Sequence, residues 1–152
     1  MIEEIQGDLF AISRPSSSSL AHCIAKDLGM GKGISGIFKK KYGGINELKA
    51  QNLDVGSCGV LKRNEGNDGE NEIENKFIFC LITKNKSSGY PKISDLKASL
   101  KQMKLKAIEN NVKMISMPKI GSGLDKLLWE DVKNVIVEVF DNSDIDIKIY
   151  YL

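Results

Sequence analysis

The stretch "NKFIFCLIT", residues 75 to 83, constrains this chain more than any other. It is a nearly continuous apolar run, rich in strand formers and far too short to span a membrane. Such a run is stable as a strand only when both of its faces are covered. That requirement points to a largely parallel sheet held between helices, not to a sheet with one wet face.

The rest of the chain supplies partners for such a strand. Ile2 to Gln6, Leu20 to Ala25 and Gly59 to Arg63 are short and rich in strand formers, and residues 112 to 118 and 145 to 151 add two more. In the last of these, Ile145, Ile147 and Ile149 alternate with polar residues, which predicts cover on one face only. Behind a cap at Ser94 or Asp95, Leu96, Leu100, Met103 and Ala107 recur at helical spacing up to the stop signal Asn110-Asn111. A second helix is expected from about Leu127 to Phe140, with Trp129, Val132, Ile136 and Val139 on one stripe. "GIFKKKYGG" and "INELKAQN" suggest two shorter helices. Alternating strands and helices predict an α/β sandwich with a mainly parallel centre, and 152 residues suit one domain, 1–152.

Composition removes several function classes. The net charge of +2 is close to neutral and does not argue for nucleic-acid binding. The N-terminal "MIEEIQGDLF" is acidic and unlike a signal segment, so an intracellular protein, cytoplasmic or nuclear and without membrane contact, is expected. Cys23, Cys58 and Cys80 are odd in number and widely spaced, and His22 is the only histidine, so no zinc set can be drawn and no metal is expected. His22 and Cys23 are neighbours in a strand and point to opposite faces, which disfavours a nucleophile pair.

Two segments interrupt the rhythm. "RPSSSSL", residues 14 to 20, reads as a surface loop, and "NEGNDGENEIEN", residues 64 to 75, reads as a solvated hairpin tip with five carboxylates and no basic residue.

Chemistry is suggested by two glycine-rich stretches, "DLGMGKGISGIFKKKYGG" and "SMPKIGSGLDKLLW". Gly31, Gly33 and Gly36 formally match G-x-G-x-x-G, but the match is weak, because loop residues intervene after the strand and no suitable acidic partner strand follows. No G-x-x-x-x-G-K-[ST] element exists, which disfavours a P-loop kinase or GTPase. Each stretch alone reads best as a tight strand-to-helix turn. Two in one small α/β domain favour a nucleotide-diphosphate ligand, since glycines admit close backbone N–H approach and helix N-termini attract anions. Asp8 in "QGDLF" is either a turn residue or a reader of a base amine. Lys84 ends the apolar strand, where ligands gather in such sheets, and a desolvated lysine amine has a larger neutral, nucleophilic fraction. An exposed lysine at a strand end is the commoner case. Asp125 is either a site carboxylate or a charge in the first turn of a helix. Spacing alone does not pair it with Lys84.

Taken together, "GDLF", "LAHCIAKDLGMGKGISGIFKKKYGG", "VLKR", "LITK", "MPKIGSGLDKLLWEDV" and "IKIYYL" resemble, in this order, the macrodomain family. Within it the chain resembles the terminal ADP-ribose protein glycohydrolases, also called O-acetyl-ADP-ribose deacetylases, over nearly its whole length apart from residues 64 to 75. The resemblance implies a three-layer α/β/α fold with a mixed, mainly parallel sheet, binding ADP-ribose without metal or cofactor. It implies that Asp8, with Leu9 beside it, holds the adenine amine, and that Gly31, Gly33 and Ser35 lie along the diphosphate and distal ribose. The resemblance also implies that Gly121, Ser122, Gly123 and Leu124 form the opposite phosphate loop, with Lys84 as the nucleophile and Asp125 as its acid/base partner. Expected partners are ADP-ribose, O-acetyl-ADP-ribose and proteins ADP-ribosylated on Glu or Asp, for a monomeric enzyme. A non-catalytic ADP-ribose reader and a hydrolase of ADP-ribosylated DNA are the alternatives. The run Lys39-Lys40-Lys41 suits the latter, although a solvated helix face is the plainer reading. The loop departs from the family pattern in reading Gly-Ser-Gly instead of Gly-Cys-Gly, and a serine hydroxyl is expected to donate to phosphate.

Overall fold

The apolar run becomes the second strand from one edge of a six-stranded sheet, hydrogen-bonded to a neighbour on either side. In the computed structural model, which describes residues 1–11, 18–31, 33–63, 76–123 and 125–152, the strands are β1 (Ile2–Gln6), β2 (Ser19–Ala25), β3 (Cys58–Arg63), β4 (Lys76–Lys84), β5 (Met114–Pro118) and β6 (Asp146–Tyr151). Their spatial order is β1-β6-β5-β2-β4-β3, parallel throughout except for the antiparallel pair β3–β4. The mixed, mainly parallel sheet is as expected. Residues 64–75 lie outside the described residues, but the strands they join pair with Arg63 opposite Lys76.

Helices α1 (Gly33–Tyr42) and α2 (Ile45–Lys49) cover one face, and α3 (Ile93–Glu109) and α4 (Trp129–Phe140) cover the other. β4 explains why both are needed. Phe79 and Leu81 pack with Leu96, Leu100 and Met103 of α3, while Ile78, Cys80 and Ile82 pack with Phe38 and Leu48 on the opposite side. The result is a three-layer α/β/α sandwich.

Several boundaries differ from the sequence expectation. α3 starts at Ile93, because extended Lys92, just after Pro91, offers its carbonyl to the N–H groups of Asp95 and Leu96; Asp95 is a first-turn acid, not a cap. β6 is covered on both faces near its end: Ile147 and Ile149 enter one layer, and Tyr150, 7% exposed, enters the other. The described end of "RPSSSSL" is not surface. Ser18, Ser19 and Leu20 are buried, the Ser18 and Ser116 hydroxyls bond each other, and Ser19 Oγ accepts from Phe77 N at 3.3 Å. These hydroxyls have polar partners inside, so the chain can enter the sheet there without a penalty for lost hydration.

Candidate active site

A cleft opens where β2, β4 and β5 end, and each wall is built by the loop that leaves one of these strands. Two adjoining cavities occupy it. The larger, about 580 Å³, is lined by Met30, Gly31, Lys84, Tyr90 and Asp125 among others. The smaller, about 290 Å³, runs over Gly33, Ile34 and the loop from Pro118 to Gly123. Cys23, Ser35 and Asp125 line both cavities and therefore mark their junction.

Lys84 is the last residue of β4. Pairing of β2 with β4 runs in register to Ile24–Ile82 and then skips to Ala25–Lys84, so β4 carries one extra residue at this point. An irregularity of this kind re-aims the following side chain, and Lys84 lies in the cleft instead of in the surrounding solvent. Its Nζ donates to Asp125 Oδ1 at 2.6 Å, with side chains only 15% and 17% exposed. The two residues that spacing could not pair are in contact.

Asp125 is not a first-turn charge. α4 begins at Trp129 with Leu128 as its cap, and Glu130 and Asp131 are the acids of its first turn. The loop before it folds back on itself: Leu127 N donates to Gly121 O at 2.8 Å and Lys126 N to Gly123 O at 3.2 Å. Gly121 sits at φ +71°, where a side chain is disfavoured, and a Cβ there would meet Leu127 Cδ1 at 3.1 Å. The glycine lets the loop close tightly under Asp125. Leu124 lies outside the described residues.

The opposite wall is the start of α1. Gly33, Ile34 and Ser35 are its first turn, whose N–H groups have no intrahelical acceptors, and that turn carries no acidic residue. It faces the Gly121–Gly123 loop across the smaller cavity, an arrangement suited to an extended anion. Ser122 behaves differently from the expectation. Its hydroxyl proton goes to Lys119 O at 2.8 Å, so towards the cleft it presents lone pairs instead of a donor.

Asp8 and Leu9 are not brought into these cavities. Asp8 is exposed and its Oδ1 accepts from Phe10 N at 2.9 Å, the turn role that its composition allows. Leu9, 3% exposed, belongs to the core beneath α1. Lys39, Lys40 and Lys41 lie exposed in the last turn of α1, where cations suit the helix dipole.

Sequence reasoning missed three contributors. The turn Ser87–Tyr90 forms the outer wall of the larger cavity, and Lys126 Nζ sits 5.3 Å from the centre of the Tyr90 ring. It is anchored by Asp27, which accepts from Ser87 N at 2.9 Å. The Ser87 N–H first, and then the Gly29 N–H, hold the Asp27 carboxyl below its ordinary value. Cys23 is the third, its thiol pushed upward by burial first and then by the charge of Asp125. No periodicity flags any of them, because each acts through the fold. Among the described residues, no cluster of three or more His, Cys, Asp or Glu side chains stands ready to hold a metal ion.

A family model described as "Macro domain" matches residues 21–136. The chain belongs to the macrodomain family. The human protein named "ADP-ribose glycohydrolase OARD1" is 46% identical over 151 residues, covering 99% of this chain and 91% of that protein. Among solved structures, the macrodomain of Mycobacterium tuberculosis DarG superposes with a TM-score of 0.81 at 26% identity, covering 100% of this chain and 98% of the other. Thermosipho africanus DarTG, solved in complex with ADP-ribose, superposes at 0.79 with 19% identity, covering 97% of this chain and 41% of the other. This macrodomain therefore shares the fold of the latter and sits within sequence reach of the named glycohydrolase.

Proposed function

We propose that this macrodomain is an ADP-ribosylhydrolase that removes ADP-ribose from modified Glu and Asp side chains through a lysine nucleophile. The contact that carries the reading is Lys84 Nζ to Asp125 Oδ1 at 2.6 Å, inside a cleft whose rim suits a diphosphate. The 46% identity to a protein named ADP-ribose glycohydrolase supports it.

Moving one proton along that hydrogen bond leaves a neutral amine beside a carboxylic acid. The Nζ lone pair then forms a bond to the anomeric carbon of the distal ribose. The C–O bond to the acceptor breaks, its electron pair leaving with the acceptor's carboxylate. Nζ sheds a proton, the ring opens onto its own oxygen with protonation by Asp125, and a protonated imine on Lys84 results. Water adds to the imine carbon as Asp125 takes its proton, and collapse of this adduct frees the lysine and ADP-ribose. The net reaction consumes one water. O-acetyl-ADP-ribose is an ester of the same sugar and is a further candidate substrate. The three free thiols suit action inside the cell.

Borohydride reduction during turnover of a Glu-ADP-ribosylated protein tests the reading. A mass increment of ADP-ribose on Lys84 is expected. Turnover without any adduct, together with full activity of Lys84→Ala, would sink it. Binding of ADP-ribose with no turnover of any ester would make the chain a reader. Side-by-side assays on modified protein and modified DNA separate the two acceptor classes.

A further inference from the structure

His22 is 1% exposed on β2, and its ring stacks on Phe38 at 3.9 Å between centroids and 5° between planes. Both ring nitrogens are engaged: Nδ1 lies 3.3 Å from Ser35 Oγ and Nε2 lies 3.5 Å from Cys80 Sγ. Ser35 Oγ in turn donates to the Cys23 carbonyl at 3.0 Å. For a neutral imidazole these contacts admit one consistent set of protons. The Cys23 carbonyl can only accept, so it takes the single proton of Ser35. Ser35 must then accept from His22, which puts the imidazole proton on Nδ1. A neutral imidazole so protonated accepts at Nε2, from the Cys80 thiol. Burial keeps both ends in the form this requires, pushing His22 down to about 3 and Cys80 upward.

We infer that His22 is a positioning residue for ligand recognition: through Nδ1 it fixes Ser35 Oγ as a hydrogen-bond acceptor at the junction of the two cavities, matched to a sugar hydroxyl and not to phosphate. The inference rests on the reading of the cleft as an ADP-ribose site and deepens it. Ser35 has given its proton to Cys23 and one lone pair to His22, so one lone pair remains for the cleft. Phosphate oxygens can only accept and find no partner in it. A ribose hydroxyl donates to it. The chain thus divides labour at the start of α1: backbone N–H groups for anion, the Ser35 side chain for the distal sugar.

Calorimetric titration with ADP-ribose and with ADP, which lacks the distal sugar, tests this. Ser35→Ala is expected to weaken ADP-ribose about fivefold, the worth of one neutral hydrogen bond, and to leave ADP unchanged. His22→Phe keeps the ring stack but removes the Nδ1 donor, so the same selective loss is expected, with no further loss in the double variant. Equal losses for ADP and ADP-ribose, or losses that add in the double variant, overturn the inference. Should His22→Phe fail to fold, His22→Gln, whose amide can still donate to Ser35, takes its place and is expected to retain wild-type preference. Wild-type protein that binds neither ligand overturns the ADP-ribose reading itself and this inference with it.

Discussion

Lys84 Nζ and Asp125 Oδ1 meet at 2.6 Å although 41 positions separate them in the chain, because β4 and β5 are parallel and flank β2. Both residues leave the same edge of the sheet, so a short loop from each side closes the pair. In the proposed reaction the contact serves as a charge pair and as a proton path, and substitutions separate the two roles. Lys84→Arg keeps the positive charge and a donor for Asp125 but supplies a guanidinium, which is no nucleophile. Turnover of ester-linked ADP-ribose is expected to vanish in it as in Lys84→Ala, with ADP-ribose binding retained. Asp125→Asn is expected to lower kcat about 10²- to 10⁴-fold. Single-turnover assays with calorimetry distinguish these outcomes, and an active Lys84→Arg would remove the lysine from the nucleophile role.

The loop from Pro118 to Gly123 offers two glycines with different demands. Gly121→Ala places a Cβ at φ +71°, 3.1 Å from Leu127 Cδ1 and 3.3 Å from Leu96 Cδ2. The left-handed backbone alone disfavours it by about 1–2 kcal/mol, and the crowded leucines add to that. Gly123→Ala meets nothing within 4 Å among the described residues. Urea unfolding is expected to show clear destabilisation in the first variant and nearly none in the second, with ADP-ribose affinity lost alongside Gly121. Equal stabilities would mean that the loop does not depend on the Gly121 backbone.

The layers of this fold are legible in the sequence because burial on two faces leaves a mark that single residues cannot hide. "FIFCLIT" has no polar face to expose, and the spacing of Leu96, Leu100, Met103 and Ala107 commits α3 to one stripe. Lys84 and Asp125 are legible only through the resemblance, since their contact depends on the register skip at Ala25–Lys84 and on a loop held by Gly121. The direction of the Ser122 proton, the Ser87–Tyr90 wall and the His22–Ser35 contact leave no pattern at all. They arise where side chains distant in sequence meet, and composition does not encode such meetings.

The three cysteines allow a chemical test of the packing. Burial pushes the Cys58 thiol up to about 12 and raises Cys23 and Cys80 as well. Nucleophilic thiolate is therefore scarce at neutral pH. With a disulfide exchange reagent at pH 7.5, no fast-reacting thiol is expected in the folded protein and all three in urea. A rapid native stoichiometry of one, mapped to Cys23, would show that its thiol is open to the cleft as a thiolate.

Stability should also depend on pH through a single side chain. His22 is the only histidine, and burial lowers its folded value to about 3 from an ordinary 6.5. Between these values the unfolded chain binds a proton at His22 that the folded protein does not, so stability rises with pH and is fully present above about 6.5. As pH falls below that point it is lost, by about 1.4 kcal/mol between pH 7.5 and 5.5, a window in which carboxylates contribute little. Urea titrations of wild-type protein and His22→Phe across that window measure it. The wild type is expected to weaken on acidification and the variant to stay level over the same range. Parallel curves for the two proteins would mean that His22 takes up its proton in the folded state, and the acceptor role of Nε2 towards the Cys80 thiol would then lose its basis.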